Sequence, residues 1–462
     1  MDYGYLSLSV PIVAIVVALL TREVVLSLFC GVVTWQLVKL GYFAPIDALY
    51  HSFEAIIALF AQGWVTKSII FIVLVGSILT IIVESGGVNA FVHYLVRRSK
   101  RVKDKKTALM LGYIIGIVIF IESTITSLVV GAVTTPLARK FGASRAKVAY
   151  ICDSTSAPVC SLIPLNGWGA LITGLVGAQI AAGVIAGDAV GITASSIMYN
   201  FYSILTLLFV LYIIVTDRDF SYMKISEDAA AKDVAEEHID VNEGGRIAFM
   251  VLPIAILTFS SLLFLFLSGG GNILKGSGTT AVFYAVITTL VFCFVYFVVW
   301  HKRFKTDEYF GHFKSGASSM AYVGVMMVLA FAVGEATKDL GTGAYLAKSV
   351  SEFTSPPYLA AIVFVAGSVI SFSTGTSWGT FSIMVPIAIQ MGAVLGIDPA
   401  LMVGAAVAGG VFGDHCSPIS DTTIVSAGAA GCDPMEHIKT QLPYAVTVAL
   451  MSVVCYLVVG FV

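Results

Sequence analysis

Asp153 and Asp414 each stand inside an otherwise apolar stretch, and each is followed within five residues by serine and then proline. A carboxylate kept inside a bilayer at such a cost marks a functional site. Proline removes an N–H and frees a carbonyl one turn back. Backbone oxygens beside a carboxylate suit a hard cation such as Na+. Near Asp153 lie Ser154, Thr155 and Ser156; near Asp414 lie His415, Cys416, Ser417, Asp421, Thr422 and Thr423. Asp153, Asp414 and Ser417 are the candidate Na+ ligands. A buried carboxylate holds its proton more tightly and a bound cation drives it off, so Na+ entry can expel H+. His415 is a candidate proton carrier, because small changes of environment move imidazole across neutral pH. A metal site on His415 and Cys416 lacks partners at ligand spacing.

Two hydroxyl runs accompany the aspartates. Ser123-Thr124-Ile125-Thr126-Ser127 precedes Pro136, and Ser373-Thr374-Gly375-Thr376-Ser377 precedes Pro386 at the same spacing. Such hydroxyls cap free N–H groups at a helix start or line a site there. Glu122 opens the first run, and its counterpart in the second is Phe372. That asymmetry makes Glu122 a candidate coupling acid beside Asp153, Asp414 and Asp421. Asn166, Trp168 and Thr173 follow Pro164; the amide either contacts cargo or satisfies freed backbone. Glu335 and Asp339 read as interfacial.

The elements that must position these residues are membrane helices. The chain has 462 residues, 58% of them apolar and 12% charged, against roughly 25% charged in a soluble domain. A net charge of −2 supplies no basic field for nucleic acid. The seven cysteines form no C-x-x-C pair, and no H-E-x-x-H occurs. The pattern is that of a transporter, not an enzyme, and no cofactor beyond the coupling ions is expected. Apolar runs of about 20 residues cross a bilayer. Four shorter pieces pair as two re-entrant hairpins, about 107–140 and about 357–395. Two broken spans follow them, about 147–185 and about 400–430.

The hydroxyl runs lie 250 residues apart, and the Asp strings follow in the same order, with about eleven extra residues before Asp414. The fold class expected is therefore an all-α polytopic membrane protein of two repeats, 1–216 and 247–462. Each has five spans, a hairpin and a broken helix. Five crossings invert the second copy, a recurrent plan of secondary transporters. The segment 217–246 reads as a solvated acidic cytoplasmic linker. Placing the basic run Arg97–Lys106 in the cytoplasm puts both termini outside. All but Lys39, Lys67, Lys275, Lys338 and Lys348 of the 26 Lys and Arg then fall on the cytoplasmic side, as the positive-inside rule requires.

Gly413-Asp-His-Cys-Ser-Pro-Ile-Ser-Asp-Thr-Thr423 resembles the signature of the NhaC family of sodium/proton antiporters. Asp153-Ser-Thr-Ser-Ala-Pro-Val159, Cys432-Asp-Pro-Met-Glu-His437 and Gln441-Leu-Pro-Tyr444 resemble it too. The resemblance implies Na+/H+ exchange in the cell membrane by alternating access, in a homodimer. It leaves open sodium-coupled transport of an amino acid or small carboxylate, including malate/lactate exchange. No deep arginine is present to clamp a dicarboxylate.

Overall fold

The computed structural model describes residues 3–461 apart from 22, 42–43, 88–89, 91–101, 121–122, 165, 233–244, 272–277, 343–344, 346–355 and 419. Among the described residues every regular element is a helix. The first half holds α1 (Ser9–Thr21), α2 (Val24–Lys39), α3 (Pro45–Leu59) and α4 (Gly63–Glu84). Then come α5 (Lys105–Val118), α6 (Ser123–Arg139), α7 (Arg145–Ser154), α8 (Ala157–Leu162), α9 (Gly167–Ala181), α10 (Ala189–Ser196) and α11 (Phe201–Thr216). A short α12 (Ser221–Ala230) leads to the second half. There lie α13 (Ala248–Ser268), α14 (Gly278–Phe294), α15 (Thr306–Ser319), α16 (Ala321–Asp339), α17 (Leu359–Thr374) and α18 (Ser377–Leu395). The chain closes with α19 (Pro399–Cys416), α20 (Asp421–Ala429) and α21 (Pro434–Phe461).

Among the described residues eight helices are long and apolar enough to cross a bilayer, or nine with the pair bent by 45° at Asn200. The sequence predicts ten crossings and two hairpins; the nine leave out α1, α2 and α19 and take in both arms of the second hairpin. Helices α1 and α2 have 13 and 16 residues, short of the roughly 20 of an upright crossing. With the turn Pro356–Tyr358 that precedes α17 counted in, both arms of the second hairpin reach 19 residues. The segments 88–96 and 343–350, which at matching places in the two repeats read as short amphipathic helices, lie outside the described residues except Ala90 and Tyr345.

The halves interlock. Hairpin α5–α6 packs against α20 of the other half, and arm α18 of hairpin α17–α18 packs against α9. Likewise α2 lies on α16, and α14 on α4. Glycine permits the tightest crossing. A Cβ on Gly409 would stand 2.3 Å from the Phe364 carbonyl oxygen, and one on Gly413 equally near that of Ser368. The Asp414 helix α19 therefore touches α17 backbone to backbone, and only glycine fits there.

Residues 217–230 depart from the expected solvated linker. Lys147, at the foot of α7, is fully buried, with its ammonium 2.7 Å from Asp219, 3.4 Å from Asp217 and 3.7 Å from Glu227. Lys105 pairs with Asp217 (2.7 Å) and Glu227 (3.1 Å). The Tyr444 hydroxyl donates to Asp219 (2.8 Å), and Glu227 accepts the Ser144 N–H. Partial burial pushes the Asp217 carboxyl up, but Lys105 and Lys147 outweigh that and hold it below its ordinary value. Acidic composition reads as solvated only while its cationic partners are unknown; here α12 is clamped beneath the helix that carries Asp153.

Candidate functional site

Both aspartates sit at helix ends made by proline. Helix α7 stops at Ser154, the residue whose carbonyl would meet the ring of Pro158. Asp153 is its penultimate residue. Pro418 likewise denies the Asp414 carbonyl its helical N–H. That oxygen accepts instead from the Ser417 N–H (3.0 Å) and the Thr423 hydroxyl (3.5 Å). The Asp153 carbonyl accepts from the Ser156 N–H and hydroxyl (3.2 and 2.9 Å). A helix C-terminus carries about half a negative charge, so each carboxylate adds to a field that already attracts cations.

The two carboxylates share one buried network. Asp153 is fully buried. Its Oδ2 accepts from Gln441 Nε2 at 2.7 Å and the Thr423 hydroxyl at 3.3 Å, with His437 Nε2 at 3.3 Å and His415 Nε2 at 3.8 Å. Its Oδ1 has no hydrogen-bond partner among the described residues, nor have His437 Nδ1 and Gln441 Oε1. Asp414 Oδ2 accepts from the Ser377 hydroxyl at 2.8 Å and the Thr422 hydroxyl at 3.4 Å. Thr422 and Thr423, adjacent on the first turn of α20, thus each reach one aspartate. Gln441 also donates to the His415 carbonyl, joining the second break to Asp153. His415 is held by the Tyr202 hydroxyl at Nδ1 (2.7 Å) and Ser154 at Nε2 (3.2 Å), and stacks on Tyr150.

Other candidates serve the frame. Ser417 donates to the Phe372 carbonyl (2.7 Å), pinning the second tip to the break. Thr155 donates to Ile151 one turn back. Ser373 and Thr374 donate to Val369 and Ile370, and Thr376 caps α18 through the Gly379 N–H. Thr126 donates to Ile119 across the first tip, and Ser127 meets Ser426 of α20 at 3.0 Å. Ser123 is buried and Thr124 half-buried at the start of α6. Asn166 satisfies backbone: it donates to Phe120 and Cys160 (both 2.9 Å) and caps α9. Asp339 accepts from Trp35 and pairs with Lys39, an interfacial setting. Glu122 lies outside the described residues, and Asp421 is described only as the first residue of α20.

Sequence reasoning missed Tyr202, His437 and Gln441 as site residues. His437 and Gln441 are four apart on α21, hence on one face. A His and a Gln one turn apart, where α21 passes from its polar start into its apolar run, were the signal.

A family model described as the Na+/H+ antiporter family matches residues 159–461. An uncharacterized protein of Haemophilus influenzae is 32% identical over 97% of this chain and 90% of its own length. The Na(+)/H(+) antiporter NhaC of Alkalihalophilus pseudofirmus is 36% identical over a local stretch, 23% of either chain. The crystal structure of the Alcanivorax borkumensis YdaH transporter superposes with a TM-score of 0.62 at 20% identity, over 90% of each chain. With two thirds of its length under that model and its helices arranged as in a known transporter, the chain belongs to the Na+/H+ antiporter family.

Proposed function

We propose that this multi-pass membrane protein exchanges Na+ for H+ through the joined Asp153–Asp414 network. One observation carries the reading: two buried carboxylates, each at the negative end of a broken helix, are bridged by adjacent threonines. Every group touching Asp153 among the described residues is a hydroxyl, an amide or an imidazole. Without a fixed cation there, its charge is neutralised by a bound proton or a bound metal ion. Na+ takes Asp153 Oδ1 and neighbouring oxygens and displaces the proton. His415 and His437 receive or return it, since each stands within reach of Oδ2. Alternating exposure of this one site then couples the two fluxes. No step needs a cofactor.

The protein works in the cell membrane as a homodimer with both termini outside. The test is proton movement in proteoliposomes under a Na+ gradient. Wild type alkalinises or acidifies the lumen according to the gradient's sign, and Asp414→Asn does not. A parallel panel of labelled amino acids, malate and lactate addresses organic cargo. Sodium-dependent uptake of one of them, with no Na+/H+ exchange, overturns the proposal.

A further inference from the structure

A groove lies along the seam of α17, α19 and α21, on the face of the Asp414 helix away from the carboxylate. Its volume is about 390 Å3, and its walls include Val369, Phe372, Phe412, Leu442, Val446 and Val453. That volume falls in the range of small-molecule sites, about 300–1,000 Å3. No polar surface is exposed in it. Leu442, Val446, Leu450 and Val453 form one stripe of α21, and Leu442 to Val453 spans about 16 Å at 1.5 Å per residue. Half of a hydrocarbon core of about 30 Å is nearly the same.

The same stripe continues, one turn towards the start of α21, to Lys439. It is exposed and makes no ion pair among the described residues. Glu436, the nearest acid on its helix, instead accepts from Ser226 of α12 (2.7 Å). A lone ammonium thus stands at the mouth of an apolar groove one leaflet long. We propose that this is a site for an anionic phospholipid, with one acyl chain in the groove and its phosphate at Lys439. The groove floor includes Gly413 and Cys416, and its rim is Phe372, whose carbonyl is held by Ser417. The chain therefore lies against the joint between the second hairpin tip and the break in α19, and its binding braces that joint.

The experiment uses the purified full chain, stripped of lipid in detergent and titrated with phosphatidylglycerol or phosphatidylcholine. Thermal midpoint and native mass spectrometry are the readouts. Phosphatidylglycerol raises the midpoint at lower concentration than phosphatidylcholine. Lys439→Gln, an exposed change that spares the fold, weakens phosphatidylglycerol about fivefold, one surface lysine's share, and leaves phosphatidylcholine unchanged. Val446→Trp fills the groove and weakens both. Equal response to the two lipids in wild type and Lys439→Gln overturns the headgroup assignment. Conversion of a dimer to a monomer by Val446→Trp, with lipid binding retained, overturns the site and makes the groove a face between two copies.

Discussion

Replacing Gln441 by leucine removes the shortest hydrogen bond to Asp153, 2.7 Å from Nε2 to Oδ2, at little change in volume. A hydrogen bond to a charged acceptor is worth about 1.5–3 kcal/mol. That donor favours the ionised carboxylate over the protonated one. Losing it favours the proton over the ionised form by roughly 10- to 100-fold. Exchange needs the ionised form to take Na+, so half-maximal exchange moves to higher pH. At fixed pH below the new midpoint, the apparent KM for Na+ rises roughly 10- to 100-fold. The variant also frees the His415 carbonyl, so its thermal midpoint falls, and rates are normalised to folded protein. The assay is proteoliposome exchange across pH at several Na+ concentrations. A profile that stays within a few tenths of a unit of wild type, with an unchanged KM for Na+, refutes the role given to Asp153.

Asp414→Asn keeps the hydroxyl contacts of Ser377 and Thr422 available but removes the charge, so folded protein is recovered and exchange is lost. Gly409→Ala drives a Cβ to 2.3 Å from the Phe364 carbonyl oxygen; overpacking of this kind costs about 1–3 kcal/mol, read as a lowered unfolding midpoint. Lys147→Met leaves the nearly buried Asp219 without its cation, and hydrogen exchange then reports loss of protection in 221–230 while α7 stays protected. Asp217 is held low in the folded chain, so its contribution to docking α12 is complete above the ordinary carboxylate value of about 3.9 and fades as pH falls through the lower folded value. Protection of 221–230 therefore persists down to about pH 4 and is lost below it; loss between neutral pH and about 5 contradicts the latch.

The aspartates, the tips and the breaks were legible because each violates its surroundings. Charge in an apolar run, hydroxyls at equal spacing and proline after Asp are local signals that survive without coordinates. The partners were not legible, because they arrive from distant helices. Nothing near Asp153 in the chain announces Thr423, His437 or Gln441, which lie 270, 284 and 288 residues away. Of the two roles the sequence leaves open for Asn166, its amide takes the backbone one, donating to the Phe120 and Cys160 carbonyls; the Ser417 hydroxyl, read as a Na+ ligand, also donates to the Phe372 carbonyl, a contact with no local signal. The acidic segment misled for the converse reason. Its partner Lys147 lies in the first turn of the helix that carries Asp153, where burial of an ammonium is intelligible only once three carboxylates surround it.

In this mechanism Na+ and H+ compete for one buried pair of carboxylates. Calorimetric titration of the detergent-solubilised chain with NaCl, repeated in buffers of different ionisation enthalpy, counts the protons released per ion bound. Release grows as pH falls through the exchange midpoint, and the Asp153→Asn, Asp414→Asn double variant releases none. Saturable Na+ binding with no proton release at any pH, or unchanged release from the double variant, contradicts it.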